Sequence, residues 1–338
     1  MAEASTLRSL TSSRFGISKG LLTVGVSTVA LFVLSAVLAP SSVSSGAVLG
    51  MLPFASVLAI VGLGQMLVVQ QGGIDLSVPG AVSLAIVVTS HQPNGDDGKF
   101  LPAVLTALLF AVIAGVLNGF LIGRLGLNAI IATLGTNALL FGAVLAISKG
   151  IPRTVTNIAS SIARNLTFGV PNAVLFALTI LLIVAVLLRK TVAGRRFEAI
   201  GASPAAARAT GLRVRSHGLL AYVWAQLLYA VAGILLAGIT LQPTAFQGNY
   251  YLLPSVAVVV LGGTSLLGGR GFPAATVVAA LFLSQLDQFV LALGVPFAVR
   301  TLVQAAALAT GVAIYTVDWR AIRQRISKLR TRVVEPTT

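Results

Sequence analysis

Polar side chains are scarce along this sequence, so the few that interrupt its apolar stretches are the ones with chemistry to offer. The clearest interruption is Gln70-Gln71-Gly72-Gly73-Ile74-Asp75-Leu76-Ser77, where polar groups and paired glycines break a continuous apolar run. A carboxylate at the centre of a bilayer-spanning helix costs about 2.5–3.5 kcal/mol on insertion scales, so it needs a partner or a cavity. Asp75 admits three readings. It caps a helix beginning near Val78 and takes part in gating, with Ser77 sharing the capping; it contacts a polar solute directly; or it lies near the membrane surface, where the cost largely vanishes.

Asn118, Asn128, Thr133, Thr136 and Asn137 are uncharged amides and hydroxyls of the kind that a solute's hydroxyls can bond. They either line a polar pathway or tie one helix to another across the spans. Gln285 and Asp287 carry the same ambiguity. The 34 glycines read as sites of close helix packing rather than as phosphate cradles. Other chemistry has little to work with. There are no cysteines and only two histidines, His91 and His217, which excludes thiol catalysis, disulfides and Cys/His metal sites. No nucleophile–base constellation is visible, so the chain does not read as an enzyme. No lysine stands in a G-x-x-x-x-G-K-[ST] loop; Lys99 follows Gly98 but precedes Phe100. The chain needs no cofactor of its own, and ATP, if it is used, is bound by another subunit.

The elements that must position these residues are membrane helices. Of 338 residues, 57% are apolar and 9% charged, with mean hydropathy +0.97; soluble domains have roughly 45–50% and 25%. Apolar stretches of bilayer-spanning length lie at about residues 21–39, 47–69, 101–122, 130–147, 172–188, 218–239, 253–267, 273–293 and 296–317, with a short partner at 78–89 completing the broken helix. The fold class is therefore all-α: a polytopic membrane protein of about ten helices, some short or broken. The first stretch exceeds the 7–15 residues of a signal-peptide core, so it reads as a retained span.

The charge is +15, and its distribution matters more than its size. Sixteen of the 23 basic residues fall in three clusters: Arg8 to Lys19, Arg189 to Arg215, and Arg320 to Arg332. Each cluster flanks an apolar span, which is the positive-inside pattern and places all three in the cytoplasm. Arg124 and Arg270 fall on the same side, while Lys99, Lys149, Arg153 and Arg164 fall outside. The organisation is a cytoplasmic N-terminal segment (1–19), a transmembrane domain (20–317) with a central cytoplasmic loop (189–217), and a basic cytoplasmic tail (318–338) anchored by Trp319 and its arginines on anionic lipid. Nucleic acid is not the partner these charges serve.

The central loop has the best-specified local structure, Ser203-Pro204-Ala205-Ala206-Ala207-Arg208-Ala209-Thr210-Gly211. Serine caps, proline suits the first helical position, Arg208 favours the C-terminal dipole end and Gly211 terminates in the left-handed region. Isolated helices are marginal below about 12–15 residues, so a two-turn helix must be held by docking. A weak internal echo sets Gly72-Gly73-Ile74-Asp75-Leu76 against Gly262-Gly263-Thr264-Ser265-Leu266, each closing a valine-rich helix and preceding a proline-containing helix start. Paired interruptions in two halves point to a site at a repeat interface. The stretch Gly262 to Gly271, with Gly268, Gly269 and Arg270, reads as a tight cytoplasmic turn or a conformational hinge.

The segment from Phe197 and Glu198 through Gly201 to Gly211 resembles the central cytoplasmic loop of ribose-type sugar permeases of ABC importers. Further motifs, in the same order as in that family, are Gly72-Gly73-Ile74-Asp75-Leu76-Ser77-Val78, Asn118-Gly119, Ile131-Ala132-Thr133-Leu134-Gly135-Thr136 and Val259-Val260-Leu261-Gly262-Gly263-Thr264-Ser265-Leu266-Leu267-Gly268-Gly269-Arg270-Gly271. The likeness covers about residues 45 to 318. It implies a ten-helix permease of the bacterial cytoplasmic membrane, multi-pass with both termini inside, that works as a homodimer or with a paralogous permease. It also implies an ABC ATPase contacting Glu198, Gly201 and Ser203–Gly211, and an extracytoplasmic solute-binding protein that delivers a monosaccharide. The family usually has an acidic residue shortly before the Gly-Gly-Thr-Ser helix, where this chain reads Gly248-Asn249-Tyr250-Tyr251. A branched-chain amino-acid permease and an ion-driven secondary transporter are the alternatives. Only Asp75 and Asp287 are available as intramembrane acids, too few for the usual proton relay.

Overall fold

The computed structural model describes residues 19–309 other than 297, 300, 304, 307 and 308. The N-terminal segment, the basic tail and most of the span expected at 296–317 lie outside the described residues. Within them the order is α1 (Lys19–Leu38), α2 (Ser45–Gln70), α3 (Val78–His91), α4 (Phe100–Gly123), α5 (Ala129–Ser148), α6 (Asn157–Arg164), α7 (Asn172–Lys190), α8 (Val192–Ala202), α9 (Pro204–Ala209), α10 (Val214–Thr240), α11 (Leu252–Leu261) and α12 (Pro273–Ala292). A short antiparallel hairpin, β1 (Leu166–Thr167) and β2 (Val170–Pro171), precedes α7. Seven of the described helices, α1, α2, α4, α5, α7, α10 and α12, are long and apolar enough to cross a membrane. The protein is an all-α, multi-pass membrane protein.

Three elements differ from the sequence reading. The expected loop at 148–170 contains α6, capped by the Thr156 hydroxyl, which accepts from the Ala159 N–H at 3.3 Å. The basic loop contains α8 ahead of the expected short helix. It is capped by Thr191, whose hydroxyl accepts from the Gly194 N–H at 3.0 Å. The eighth span stops at Leu261 rather than near 267, because Gly263 adopts φ +85° and closes the helix. Gly263 donates to the Val260 carbonyl at 2.8 Å and Thr264 to that of Val259 at 3.1 Å, the paired bonds of a left-handed C-cap.

Lipid tails are as apolar as leucine, so close packing and hydrogen bonds rather than burial hold membrane helices together. Helix α4 shows how its sequence meets that demand. Ala103, Ala107, Ala111, Gly115 and Gly119 recur every fourth residue and are all buried, while Leu101, Leu105, Leu109 and Ile113 are exposed on the other face. A Cβ on Gly115 would lie 2.5 Å from the Val223 Cα, and one on Gly119 would lie 2.7 Å from the Leu219 Cα. The small stripe is therefore the contact surface for α10, which also packs on α2, α3 and α6. Helix α2 lies inside, bordered by α7, α10, α11 and α12, and α1 packs on α12. At one end, called here the basic end, the Arg189 to Arg215 loop with α8 and α9 meets the end of α2; the Gln247–Tyr251 turn meets α3 towards the opposite end.

Replacing Gly115 or Gly119 with leucine forces backbone-level overlap that no rotamer relieves. Each change is expected to destabilise the protein by about 1–3 kcal/mol, read as earlier thermal unfolding in detergent micelles; alanine at exposed Leu105 should leave the transition in place.

Candidate functional site

Helix α2 ends where Gly72, at φ +79°, donates to the Val69 carbonyl at 2.8 Å and Gly73 to that of Val68 at 3.2 Å. The same pair of bonds closes α11, which aligns Gly72 with Gly263. The two helix ends therefore correspond one residue out of the register of the sequence echo.

Between Gly73 and Val78 the chain is not helical, and side chains from four helices supply its partners. Gln65 of α2, its amide oriented to satisfy its neighbours, accepts from the Asp75 N–H and donates to the Asp75 carbonyl, both at 3.2 Å, and donates to the Tyr229 hydroxyl at 2.9 Å. Thr133 of α5 accepts from the Leu76 N–H at 2.9 Å, and Asn137, one turn on, accepts from the Gly80 N–H at 2.8 Å. The fully buried Asp75 carboxylate accepts from both the Ser77 N–H, at 2.9 Å, and the Ser77 hydroxyl. Gln226 of α10 donates to Asp75 at 3.1 Å and to the Ser77 hydroxyl oxygen at 2.7 Å; Asn118 of α4 donates to the same oxygen at 3.0 Å.

Neither Asp75 nor Ser77 caps α3 as the sequence suggests: Asp75 accepts from the Ser77 N–H, which lies ahead of the helix, and Ser77 is itself the N-cap position. Its side chain makes no cap bond to α3. The usual targets are the N–H groups two and three positions into the helix; here Pro79 has none and that of Gly80 is taken by Asn137. The Ser77 hydroxyl instead joins α3 to α4 and α10.

A second set of contacts begins next to this network, at the basic end. The Gln70 carbonyl accepts from the Gly269 N–H at 2.9 Å, and Gly201 of α8 lies so close to that carbonyl that no side chain fits there. Gly268, at φ +91°, packs on the Gly201 carbonyl, and the Gln71 amide donates to the Phe197 carbonyl at 2.9 Å. Arg270 and Glu198 form an ion pair at 3.0 Å. Gly262 faces Gly20 of α1, and Thr264 is buried beside the same turn while Ser265 accepts from the Leu267 N–H at 3.2 Å. Helix α9 is capped by the Ser203 hydroxyl, which accepts from Ala206 N–H at 3.3 Å, and closed by Gly211 at φ +80°. Of its alanines, Ala207 is buried while Ala205 and Ala206 face out with Arg208.

The remaining residues are dispersed. Asn128 is an exposed cap of α5, accepting from Ile130 N–H at 2.9 Å. Thr136 is buried away from these bonds. Gln285 donates to Ser35 of α1 at 3.1 Å, so it belongs to helix packing, whereas Asp287 accepts from the Tyr250 hydroxyl at 2.6 Å. The segment before α11 has no acid of its own, and it meets one from α12. Sequence reasoning missed Gln65, Gln226 and Tyr229. The signal was present, since amides in the middle of SVLAIVGLGQMLVVQ and AYVWAQLLYA are costly in lipid unless partnered.

Residues 47–310 match the family model described as the permease component of branched-chain amino acid transport systems. The chain belongs to this permease family, and it is a membrane transport component rather than an enzyme. It is 35% identical over 240 residues to a probable ABC transporter permease protein of Sinorhizobium fredii, covering 70% of this chain and 72% of that one. It is 37% identical over 248 residues to an autoinducer 2 import system permease protein of Enterobacter, covering 71% and 70%. It is also 32% identical over 298 residues to a ribose import permease protein of Escherichia coli, covering 85% and 92%. No solved structure matches the chain.

The polar network yields a graded expectation for thermal unfolding in micelles. Ser77→Ala leaves Asn118 and Gln226 short of an acceptor and should cost about 1–3 kcal/mol, with Asp75→Ala costing more. Asn128→Ala removes only an exposed cap, worth about 1 kcal/mol.

Proposed function

We propose that the chain is the membrane permease of an ABC importer that carries a monosaccharide across the bacterial inner membrane. It works as one of a pair of permease copies, with a separate ATPase on the basic face and a solute-binding protein on the other. The positive-inside rule supports the orientation, with the basic end in the cytoplasm. The import of ribose and of autoinducer 2 named for two relatives supports a sugar-like solute. The description of the matching family keeps a branched-chain amino acid as the second reading.

The observation that carries the mechanism is the junction at Gln70. Helices α8 and α9 form a surface unit of the kind an ATPase can hold, with Arg208 facing outward. Through Gly201, Phe197 and Glu198 that unit bears on Gln70, Gln71 and Arg270, where α2 ends and the 262–272 turn leads into α12. Displacement of α8 is thereby delivered to both helix breaks at once. Asp75 and its partners act as the element that shifts between arrangements, with Thr133 and Asn137 anchoring α3 to α5. The chain binds no ATP itself, and the hydrolysing subunit supplies the energy.

Reconstitution with the cognate ATPase and binding protein in proteoliposomes tests this reading: labelled D-ribose should accumulate with ATP inside and L-leucine should not, and the reverse pattern selects the amino-acid reading. In the same system Arg208→Glu and Glu198→Lys should abolish solute-stimulated ATP hydrolysis without loss of membrane insertion. Adding Arg270→Glu to Glu198→Lys should restore coupling. The pair is largely exposed and worth about 0–1 kcal/mol, so none of these changes should move the unfolding transition far. Unchanged coupling in both single variants contradicts the role of α8 and α9.

A further inference from the structure

Asp75 and Ser77 are fully buried and bonded within the polar break, which leaves open where a solute is held. A cavity of about 380 Å³ lies between the first half of α2, the second half of α12 and the Gln247–Tyr251 turn, within the roughly 300–1,000 Å³ range of small-molecule sites. We propose that this cavity is the outer solute-holding station of the permease, shaped for a neutral polyhydroxylated ring; the assignment rests on the importer reading above and names a site for it.

Three observations carry it. Ser284, Asp287 and Gln288 share one face of α12 at spacings of three and four residues, and all three line the cavity. Opposite them stand Gln247 and Tyr250, so hydroxyl, amide and carboxylate groups converge from two elements on one space. Such a mixture of donors and acceptors matches hydroxyl groups, which do both. Phe54 and Tyr250 add aromatic surface against which the apolar face of a ring can lie.

Depth is the second point. Asp287 is the fifteenth of twenty residues counted from the basic end of α12, about 20 Å along the helix at 1.5 Å per residue. A carboxylate at that depth is stable when it faces a cavity and a hydrogen-bonding partner, here the Tyr250 hydroxyl. Phe54 and Gln70 are 16 residues apart on α2, about 24 Å, so the station is far from the polar break and on the side where a binding protein would release its cargo. The third point is Gly50 on the cavity wall, where a Cβ meets nothing within 4 Å. Space is held open at that position rather than used for helix contact.

The chain has no cysteines, so single-cysteine variants of the assembled importer give a clean readout that does not depend on which solute is carried. Gly50→Cys and Ser284→Cys should react with a membrane-impermeant maleimide from the outer side, and ATP with vanadate should change both rates about tenfold. The buried neighbour, Gln285→Cys, should stay unreactive. In parallel, Gly50→Trp should cut uptake of D-ribose, D-xylose and D-galactose about tenfold or more, while Gly46→Trp, also in open space but off the wall, should not. Asp287→Asn should raise KM about tenfold with little change in kcat, as expected for loss of a charge-assisted hydrogen bond to a hydroxyl. Equal reactivity of all three cysteine variants, or a harmless Gly50→Trp, overturns the site. If the labelling pattern holds but none of the three sugars is carried, the polyhydroxylated-ring assignment falls together with the sugar reading, and the cavity stands as a station for another solute.

Discussion

A lipid interior offers no water to a broken backbone, so each N–H and C=O freed between α2 and α3 must find a partner in the protein. The partners come from Gln65, Thr133, Asn137 and Asp75; Gln65 is held in turn by Tyr229, and Asp75 by Ser77 and Gln226, with Asn118 on the Ser77 hydroxyl. Four helices are thereby registered against one short segment. Apolar packing against α10 sets how closely α4 approaches, but it does not single out one register along a stripe of small residues. The Asn118 to Ser77 bond does, because sliding α4 by a turn leaves the buried Asn118 amide unpaired.

The same constraint explains why the break connects to the surface. The Gln70 carbonyl, last of its helix, is satisfied by Gly269 from the second break and shielded by Gly201 from the basic loop. Glycine is required at Gly201 by contact and at Gly268 and Gly269 by their positive φ. The two helix ends share one capping geometry, and α8 sits on the first and on residues 268–270 of the turn that follows the second. A surface helix, two helix breaks and a buried carboxylate thus form one contiguous assembly. The cavity beside Asp287 stands apart from it, towards the opposite end of the helices.

Much of this was legible in the sequence. Composition and span length define an all-α membrane protein, and the polar interruption at Asp75, the capped segment Ser203 to Gly211 and the glycine-rich turn at Gly262 to Gly271 all mark real features. What escaped has physical reasons. Helix α8 mixes arginine, glycine and apolar residues, and it is set by a threonine cap and by docking rather than by an apolar period. The Ser77 role inverted because Pro79 removes the N–H a serine cap needs, and Asn137, 57 residues away, takes the next one. Long-range pairing of that kind leaves no local trace. Asn128 and Thr136 looked equivalent to Thr133 and Asn137 in type; the rotation of α5 separates Thr136, and Asn128 stands apart as the cap ahead of the helix.

The central claim is that motion imposed on α8 and α9 reaches the α2–α3 break through Gln70 and Gly269. Hydrogen–deuterium exchange of the assembled importer, compared between the ATP-free and ATP–vanadate states, tests this most directly. The account predicts that peptides covering 192–211, 265–272 and 68–80 change protection together. A change confined to 192–211, with 68–80 unaltered, would contradict it.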